Sequence, residues 1–263
     1  MSKEYNVLIV GFGVVGKNLS KELWQLHPDI YDKYHPEFNS KRDIKYDVAF
    51  ICVDTPADKY SMLNIQDVCR AVEDNDAEIY VIKSTLPLRC IGSLTHGTYA
   101  DKRIIYSPEY YGDTQHCNNY DFNFTILGGN REDCIAVQQI LQECYDASHQ
   151  FRLVSSDLAE IAKLMENAWL ATKVTFCTQM YEICKANDIC YEDLRELFIL
   201  DPRVNPSHTF VYADHPYWDS HCLNKDVNYL AAWGTWAPNA TFLQDMIKFN
   251  NQQKERYSDN DEC

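Results

Sequence analysis

Residues 5–16 read YNVLIVGFGVVG. Tyr5–Val10 is a β-rich run, and GFGVVG follows it directly as a G-x-G-x-x-G that opens a stretch, Val14–Leu26, with helical spacing of apolar residues. A strand that passes through a glycine turn into a helix is the first unit of a dinucleotide-binding sheet. Gly11 permits the tight turn, Gly13 lets a pyrophosphate approach the backbone, and Gly16 lets helix and strand pack closely. The helix N-terminus offers N–H groups and a positive dipole end to phosphates, and Phe12, Val14 and Val15 complete the loop. Asp32 closes the next strand candidate, Asp29–Asp32, where a carboxylate binds ribose hydroxyls and repels a 2′-phosphate. That favours NAD over NADP, although Lys33 beside it leaves NADP open. Lys33, Thr55 and Pro56 just after the run Asp47–Val53, and Thr85 are placed in the same cofactor set.

Outward from this loop, strand-like and helix-like stretches alternate. Strands are expected at Asp47–Val53, Glu78–Lys83, Arg103–Tyr106, Phe122–Leu127 and Phe151–Val154, with helices at Asn64–Glu73 and Arg131–Tyr145. Alternation of this kind implies an α/β, Rossmann-type doubly wound parallel sheet with helices on both faces. The pattern changes near residue 155. A long helix is expected over Asp157–Lys185, with Asp157 as N-cap and Glu160 reaching back to it. Helices follow at Tyr191–Ile199, Lys225–Trp233 and Asn239–Arg256, and Asp201–His221, with three prolines, reads as a loop. Two domains are expected: a dinucleotide-binding domain at 1–155 and a smaller all-α domain at 156–263, with a polar, frayed tail SDNDEC.

The 263 residues carry a formal net charge of −15, a surface that repels nucleic acid and anionic membranes. An anionic substrate then needs a local basic site. No apolar run reaches the ~18 residues of a membrane span, and MSKEYNVLIV enters a strand without the features of a secretory signal. The eleven cysteines have no zinc-like spacing and no C-x-x-C, so no metal is expected and cytoplasmic free thiols are. Most are read as small buried hydrophobes.

Four further stretches stand out: KSTLP at 83–87, SPEYYG at 107–112, EIAKLMEN at 160–167, and CLNKD at 222–226. The first two follow strands, which in a doubly wound sheet places them beside the cofactor crevice. Glu160, Lys163 and Asn167 share one helical face. Together with GFGVVG, these stretches in this order resemble the UDP-glucose/GDP-mannose dehydrogenase family, and FLQDMIKFNN (242–251) resembles the end of that family's central helical domain. The resemblance implies NAD-dependent oxidation of the primary alcohol of a nucleotide sugar to a carboxylate, in two hydride transfers. A cysteine captures the intermediate aldehyde as a thiohemiacetal, which becomes a thioester that water hydrolyses. It makes Cys222 the nucleophile, with a thiol pKa lowered by a helix N-terminus and nearby lysines. Lys163 and Asn167 hold the developing oxyanion. Asp226 assists proton transfer and water, Glu109 and Thr85 place the hydrolytic water and move protons, and Lys225 contacts the sugar. Arg203 reaches the substrate across a subunit contact, and the long helix corresponds to the core of a homodimer, although its aromatic and apolar positions fit either a dimer seam or a folded-back internal core.

The chain departs from the family pattern in two places. Where the family has a glycine-rich loop before the cysteine, this chain reads ADHPYWDSHC, with Tyr217, Trp218 and His221 adding bulk. The family also carries a second α/β domain that grips the nucleotide, which this stretch does not include, and the segment between the second and third strands is shortened. Each motif residue alone also fits a bland role as a turn cap or solvated helix face. Three functions stay open: a nucleotide-sugar dehydrogenase, the same chemistry on another activated sugar or alcohol, and a non-catalytic NAD-binding module. A one-step hydroxy-acid dehydrogenase with a similar plan needs no cysteine, so Cys222 separates it from the first two.

Overall fold

In the computed structural model, which describes residues 4–111, 122–234 and 241–258, strand β1 (Val7–Val10) is apolar and buried at every position. Leu8 and Val10 enter one core while Val7 and Ile9 enter another, as a strand covered on both faces requires. The next central strands, β3 (Tyr46–Ile51) and β4 (Ala77–Ile82), repeat this. Ala49, Ile51, Tyr80 and Ile82 join the first core, and Val48, Phe50, Ile79 and Val81 the second. With β2 (Asp29–Tyr31), β5 (Ile104–Tyr106), β6 (Phe124–Gly128) and β7 (Gln150–Val154) they form a seven-stranded sheet ordered β2-β1-β3-β4-β5-β6-β7. Strand order reverses between β1 and β3, which is where ligands bind in open α/β sheets and where the glycine turn lies. Helices α2 (Gln66–Glu73) and α3 (Cys90–His96) pack into the first core, and α1 (Val14–Glu22) and α4 (Arg131–Leu141) into the second, so the sheet is doubly wound.

The sheet is not wholly parallel. β6 pairs antiparallel to β5 through Tyr106 and Gly128, and β7 then runs parallel to β6. No helix joins β5 to β6 among the described residues, and strands joined without a crossover pair antiparallel. The edge strand β2 is covered by the shortened segment behind it. Ile30 donates to Ser40 Oγ at 2.8 Å, its carbonyl accepts from Ser40 N at 2.9 Å, and Asp32 N donates to Asn39 Oδ1 at 2.7 Å. This leaves fewer open ladder groups for another chain to pair with.

Other boundaries also differ from the sequence reading. α1 stops at Glu22, and Trp24–Leu26 forms a 3-10 turn closed by His27 in the left-handed region. α4 stops at Leu141 instead of Tyr145. Helix α3 was not foreseen, for a specific reason. The long helix α5 (Ser156–Ala186) is capped by Ser155, whose Oγ accepts from Leu158 N, and not by Asp157. Glu160 does not reach back to its own helix start. Its two carboxylate oxygens accept from Arg89 N at 2.5 Å and Ile91 N at 2.9 Å. The donors at the start of α3 are therefore met by a fully buried carboxylate some 70 residues further along the chain.

The chain divides into two compact units. The first comprises 1–58 and 62–163, and the second comprises 59–61 and 164–263. The second unit holds the rest of α5 with α6 (Tyr191–Phe198), α7 (His221–Trp233) and α8 (Phe242–Ser258). Its main core is Ala168, Ala171, Trp218, Leu223, Val227 and Met246. α7 begins at His221, earlier than the expected Lys225, because Ser220 caps it by accepting from Leu223 N at 3.2 Å. The expected start of the last helix, Asn239, and all of the tail but Ser258 lie outside the described residues. No described helix is long and apolar enough to cross a membrane.

Burial pushes the Glu160 carboxyl up to about 7, against the N–H bonds from Ile91 and Arg89. A carboxyl raised in the fold binds protons more tightly there than in the unfolded chain. Its contribution is therefore present below its ordinary range and lost as pH rises through about 7. Urea unfolding of the full chain is expected to show stability falling between about pH 5 and 7 by up to about 3 kcal/mol, with Glu160→Gln flattening that fall.

Candidate functional site

In the first unit the glycine turn is held from both sides. Gly11 has φ +92°, donates to Tyr31 O at 2.8 Å, and lies so near β3 that a Cβ there would sit 2.7 Å from Cys52 O. A Cβ on Gly16 would sit 2.0 Å from Gly11 O, so the helix can start where it does only without one. Around Gly13 a Cβ would meet nothing within 4 Å, which leaves the N-terminus of α1 approachable. Val14 is exposed, and Phe12 packs on Phe38 with ring centroids 4.9 Å apart. Asp32 closes the loop from the end of β2. Burial alone would raise its pKa, but the N–H groups of Phe12, Tyr34 and His35, at 2.7, 2.8 and 3.0 Å, hold it below the usual carboxylate range. Lys33 points to Asp67, with Nζ 2.9 Å from Oδ1. Thr55 is buried and its hydroxyl donates to Thr85 O at 2.8 Å, tying the turns after β3 and β4 together, and Pro56 O accepts from Asn64 N. An exposed glycine at a helix N-terminus beside a fixed, ionised carboxylate fits a dinucleotide's pyrophosphate and ribose.

Sequence reasoning passed over the group beneath this rim. Lys83, first residue of KSTLP, is 8% exposed and pairs with Glu109 Oε2 at 3.1 Å and Ser107 Oγ at 3.3 Å. Glu109 also accepts from Tyr110 N at 2.8 Å. Tyr111 donates its hydroxyl to Glu22, as does Tyr145, and burial raises the Glu22 carboxyl above its ordinary range. An ammonium at the end of the wholly apolar strand run Ile79–Ile82 was a legible signal. Nothing local marks Glu22 or Tyr145. Lys163, on α5, lies over the Tyr110 ring at 4.9 Å. Gly112 of SPEYYG lies outside the described residues.

In the second unit, Cys222 is exposed in the first turn of α7. One turn on, Asp226 is fully buried, with Oδ2 accepting from Asn167 Nδ2 at 2.6 Å and Oδ1 2.7 Å from Lys225 Nζ. Lys225 and Asn167 are themselves buried. Lys225, expected at the sugar, thus turns its ammonium to Asp226. Arg203 is 88% exposed and lies against Asp201, at 2.6 Å from Nη2. Burial raises the thiols of Cys52 and Cys90 to about 12 and those of Cys134 and Cys144 to about 11, which makes them inert. Among the described cysteines Cys190 and Cys222 are the exposed ones.

These features are those of a Rossmann-like α/β fold joined to a helical unit that carries an exposed cysteine. Residues 157–252 match the central domain of the UDP-glucose/GDP-mannose dehydrogenase family, and the chain resembles that family over most of its length. It is 27% identical to GDP-mannose 6-dehydrogenase of Pseudomonas syringae pv. tomato over 228 residues, which cover 79% of this chain and 51% of that protein. It is 26% identical to UDP-glucose 6-dehydrogenase 1 of Glycine max, covering 82% and 49%. The chain therefore spans about half the length of these relatives. In structure it is similar to a UDP-D-ManNAc dehydrogenase from Pyrococcus horikoshii, with a TM-score of 0.77 at 17% identity, covering 94% of this chain and 68% of that one. A ternary complex of GDP-mannose dehydrogenase from Pseudomonas aeruginosa gives a TM-score of 0.62 at 21% identity, covering 94% and 69%.

Removing one partner of a buried ion pair strands the other. Lys225→Met is therefore expected to lower the unfolding free energy by about 3–5 kcal/mol, read by urea denaturation, while Lys248→Met at an exposed position of α8 changes it by less than about 0.5.

Proposed function

We propose that this chain carries the catalytic part of an NAD-dependent nucleotide-sugar 6-dehydrogenase, with residues 1–155 as the cofactor domain and 156–263 as a helical domain bearing the nucleophile. The observation that carries the reading is the exposed Cys222 in the first turn of α7, one turn from the buried Asn167–Asp226–Lys225 group, inside the segment that matches the family's central domain. A dehydrogenase that stops at a ketone or aldehyde has no use for a thiol. One that goes on to a carboxylate needs a nucleophile to hold the aldehyde carbon.

NAD, when bound at Gly11–Gly16, Asp32, Thr55 and Pro56, supplies the hydride acceptor for both oxidations. Cys222 Sγ adds to the aldehyde carbon, and Lys163 and Asn167 supply positive charge and a donor to the oxygen as it becomes negative. After the second oxidation that carbon is an acyl thioester. Water adds to it, the C–S bond breaks, and the thiolate leaves as the carboxylate forms. Thr85 and Glu109 place the water, and Asp226 takes its proton. Asp226 suits this role because Asn167 and Lys225 fix both oxygens, so it needs no reorganisation during the step. Arg203 is assigned to the substrate and Lys225 to the sugar on resemblance alone.

The reading includes a cytoplasmic homodimer formed through α5. Met165, Trp169, Phe176 and Ile183 recur at spacings of four and seven along that helix and are all exposed, at 69, 60, 54 and 46%. An apolar stripe of this length marks a contact surface. Equilibrium sedimentation is expected to give a dimer for the wild type and a monomer for Trp169→Glu.

The activity itself is tested by NADH formation at 340 nm with a panel of nucleotide sugars led by UDP-glucose and GDP-mannose. Two NADH per sugar, lost in Cys222→Ser, is the expected result. One NADH per substrate in both proteins would replace this reading with a one-step dehydrogenase. The same chemistry on another activated sugar predicts the two-to-one ratio with a different member of the panel.

A further inference from the structure

The segment before Cys222 has no glycine, yet its main chain is more tightly specified than a loop needs to be. Trp218 N donates to Asn250 Oδ1 at 2.9 Å, and Asn250 Nδ2 donates back to Trp218 O at 2.9 Å. One amide side chain on α8 thus reads both main-chain groups of a single residue, as a neighbouring β-strand would. Only one orientation of the amide satisfies both bonds. Asn250 is 3% exposed and Trp218 4%, so neither bond is exchanged with water. The Trp218 indole N–H donates to Thr175 Oγ1 on α5 at 2.9 Å. Asp219, next along, meets Lys254 of α8 at 2.7 Å and accepts from Asn224 at 2.8 Å. Ser220 then caps α7, and Cys222 is the second residue of that helix.

Packing of the indole alone would bury Trp218. It would not fix the rotation of the peptide plane that leads to the helix start, and a buried amide is costly unless both of its groups are met. We propose that Asn250 is a positioning residue for Cys222: by clamping the Trp218 backbone it fixes the start of α7 and hence the thiol's location. The proposal rests on the reading of Cys222 as the nucleophile, and it gives α8 a place in that chemistry without contact with substrate.

The test is alkylation of the native full chain with iodoacetamide, followed by digestion and mass spectrometry of each cysteine peptide. It is run beside amide hydrogen exchange over His221–Asn224. Cys190, exposed at the start of α6, is an internal standard, and buried Cys177 and Cys184 report global opening. In Asn250→Ala, exchange of the first turn of α7 is expected to speed up about tenfold and the Cys222 alkylation rate to change by about fivefold or more. Cys190 keeps its rate and Cys177 and Cys184 stay protected. Asn250→Asp keeps the acceptor for Trp218 N but not the donor for Trp218 O, and should lie between. Unchanged Cys222 reactivity and first-turn exchange in folded Asn250→Ala overturns the proposal. If that variant opens globally, Asn250→Asp decides, because it keeps the shape of the site and one of the two clamp bonds. Faster exchange over His221–Asn224 in it supports the clamp, and wild-type exchange sinks it. Where dehydrogenase turnover is present, kcat falls in Asn250→Ala while the KM for NAD holds. If the wild type turns over no nucleotide sugar, the functional reading fails alone and the alkylation result still decides the clamp.

Discussion

A carboxylate taken out of water has to be met by fixed donors, and this chain does so repeatedly. Asp32, Glu109, Glu160 and Asp226 are each largely or wholly buried, and each is bonded on defined atoms. An isolated buried charge costs more than a domain's net stability, so each of these groups dictates its surroundings. Asp32 fixes the glycine loop to β2. Glu160 allows α3 to begin. Glu109 holds Lys83 at the carboxyl end of β4, and Asp226 draws Lys225 and Asn167 together from two helices. The net charge of −15 hides this arrangement, because it counts charges and says nothing of the local donors that meet the buried acids.

The same constraint explains what the sequence disclosed. β1, the glycine turn and the apolar runs of β3 and β4 were legible because their signals are local: a glycine spacing and short, near-continuous apolar runs. α7 was placed late because its cap, Ser220, stands inside a stretch whose prolines and aromatics read as loop. α3 was invisible because its stability is supplied by Glu160, and a contact spanning some 70 residues has no local signature. Glu160 itself was misassigned for the converse reason. The spacing Asp157-x-x-Glu160 is a good capping box on paper, and a tertiary donor pair won over it. In the candidate site, motif residues were found and their partners were not. Glu109 was named and Lys83 was missed, and Asp226 was named without the buried bonds that fix it.

The missing glycines before Cys222 are resolved by the same logic. A glycine-rich loop gains its shape from conformational freedom and must be held by whatever it binds. Here Trp218 and Asp219 are held by side chains of α5 and α8 and Ser220 caps α7, with the shape set before any ligand arrives. The cost falls on permissiveness, since a segment fixed in this way cannot reshape itself around a ligand.

The balance between NAD and NADP can be weighed on magnitudes. Lys33 alone would attract a 2′-phosphate, but its ammonium is bonded to Asp67 at 2.9 Å and lies over the Tyr34 ring at 4.7 Å. That pair is exposed, and water and salt screen an exposed pair strongly. Asp67 therefore cannot hold Lys33 back from a doubly charged phosphate by itself. Asp32 is different in kind. It is 8% exposed, its oxygens accept three backbone N–H bonds, and those bonds keep it ionised and immobile. A phosphate brought to the ribose end of the loop would meet this fixed negative charge where water cannot screen it well, whereas two ribose hydroxyls would find acceptors in place. Under the proposed function the discrimination belongs to Asp32, and Lys33 is a surface residue whose charge that preference does not need.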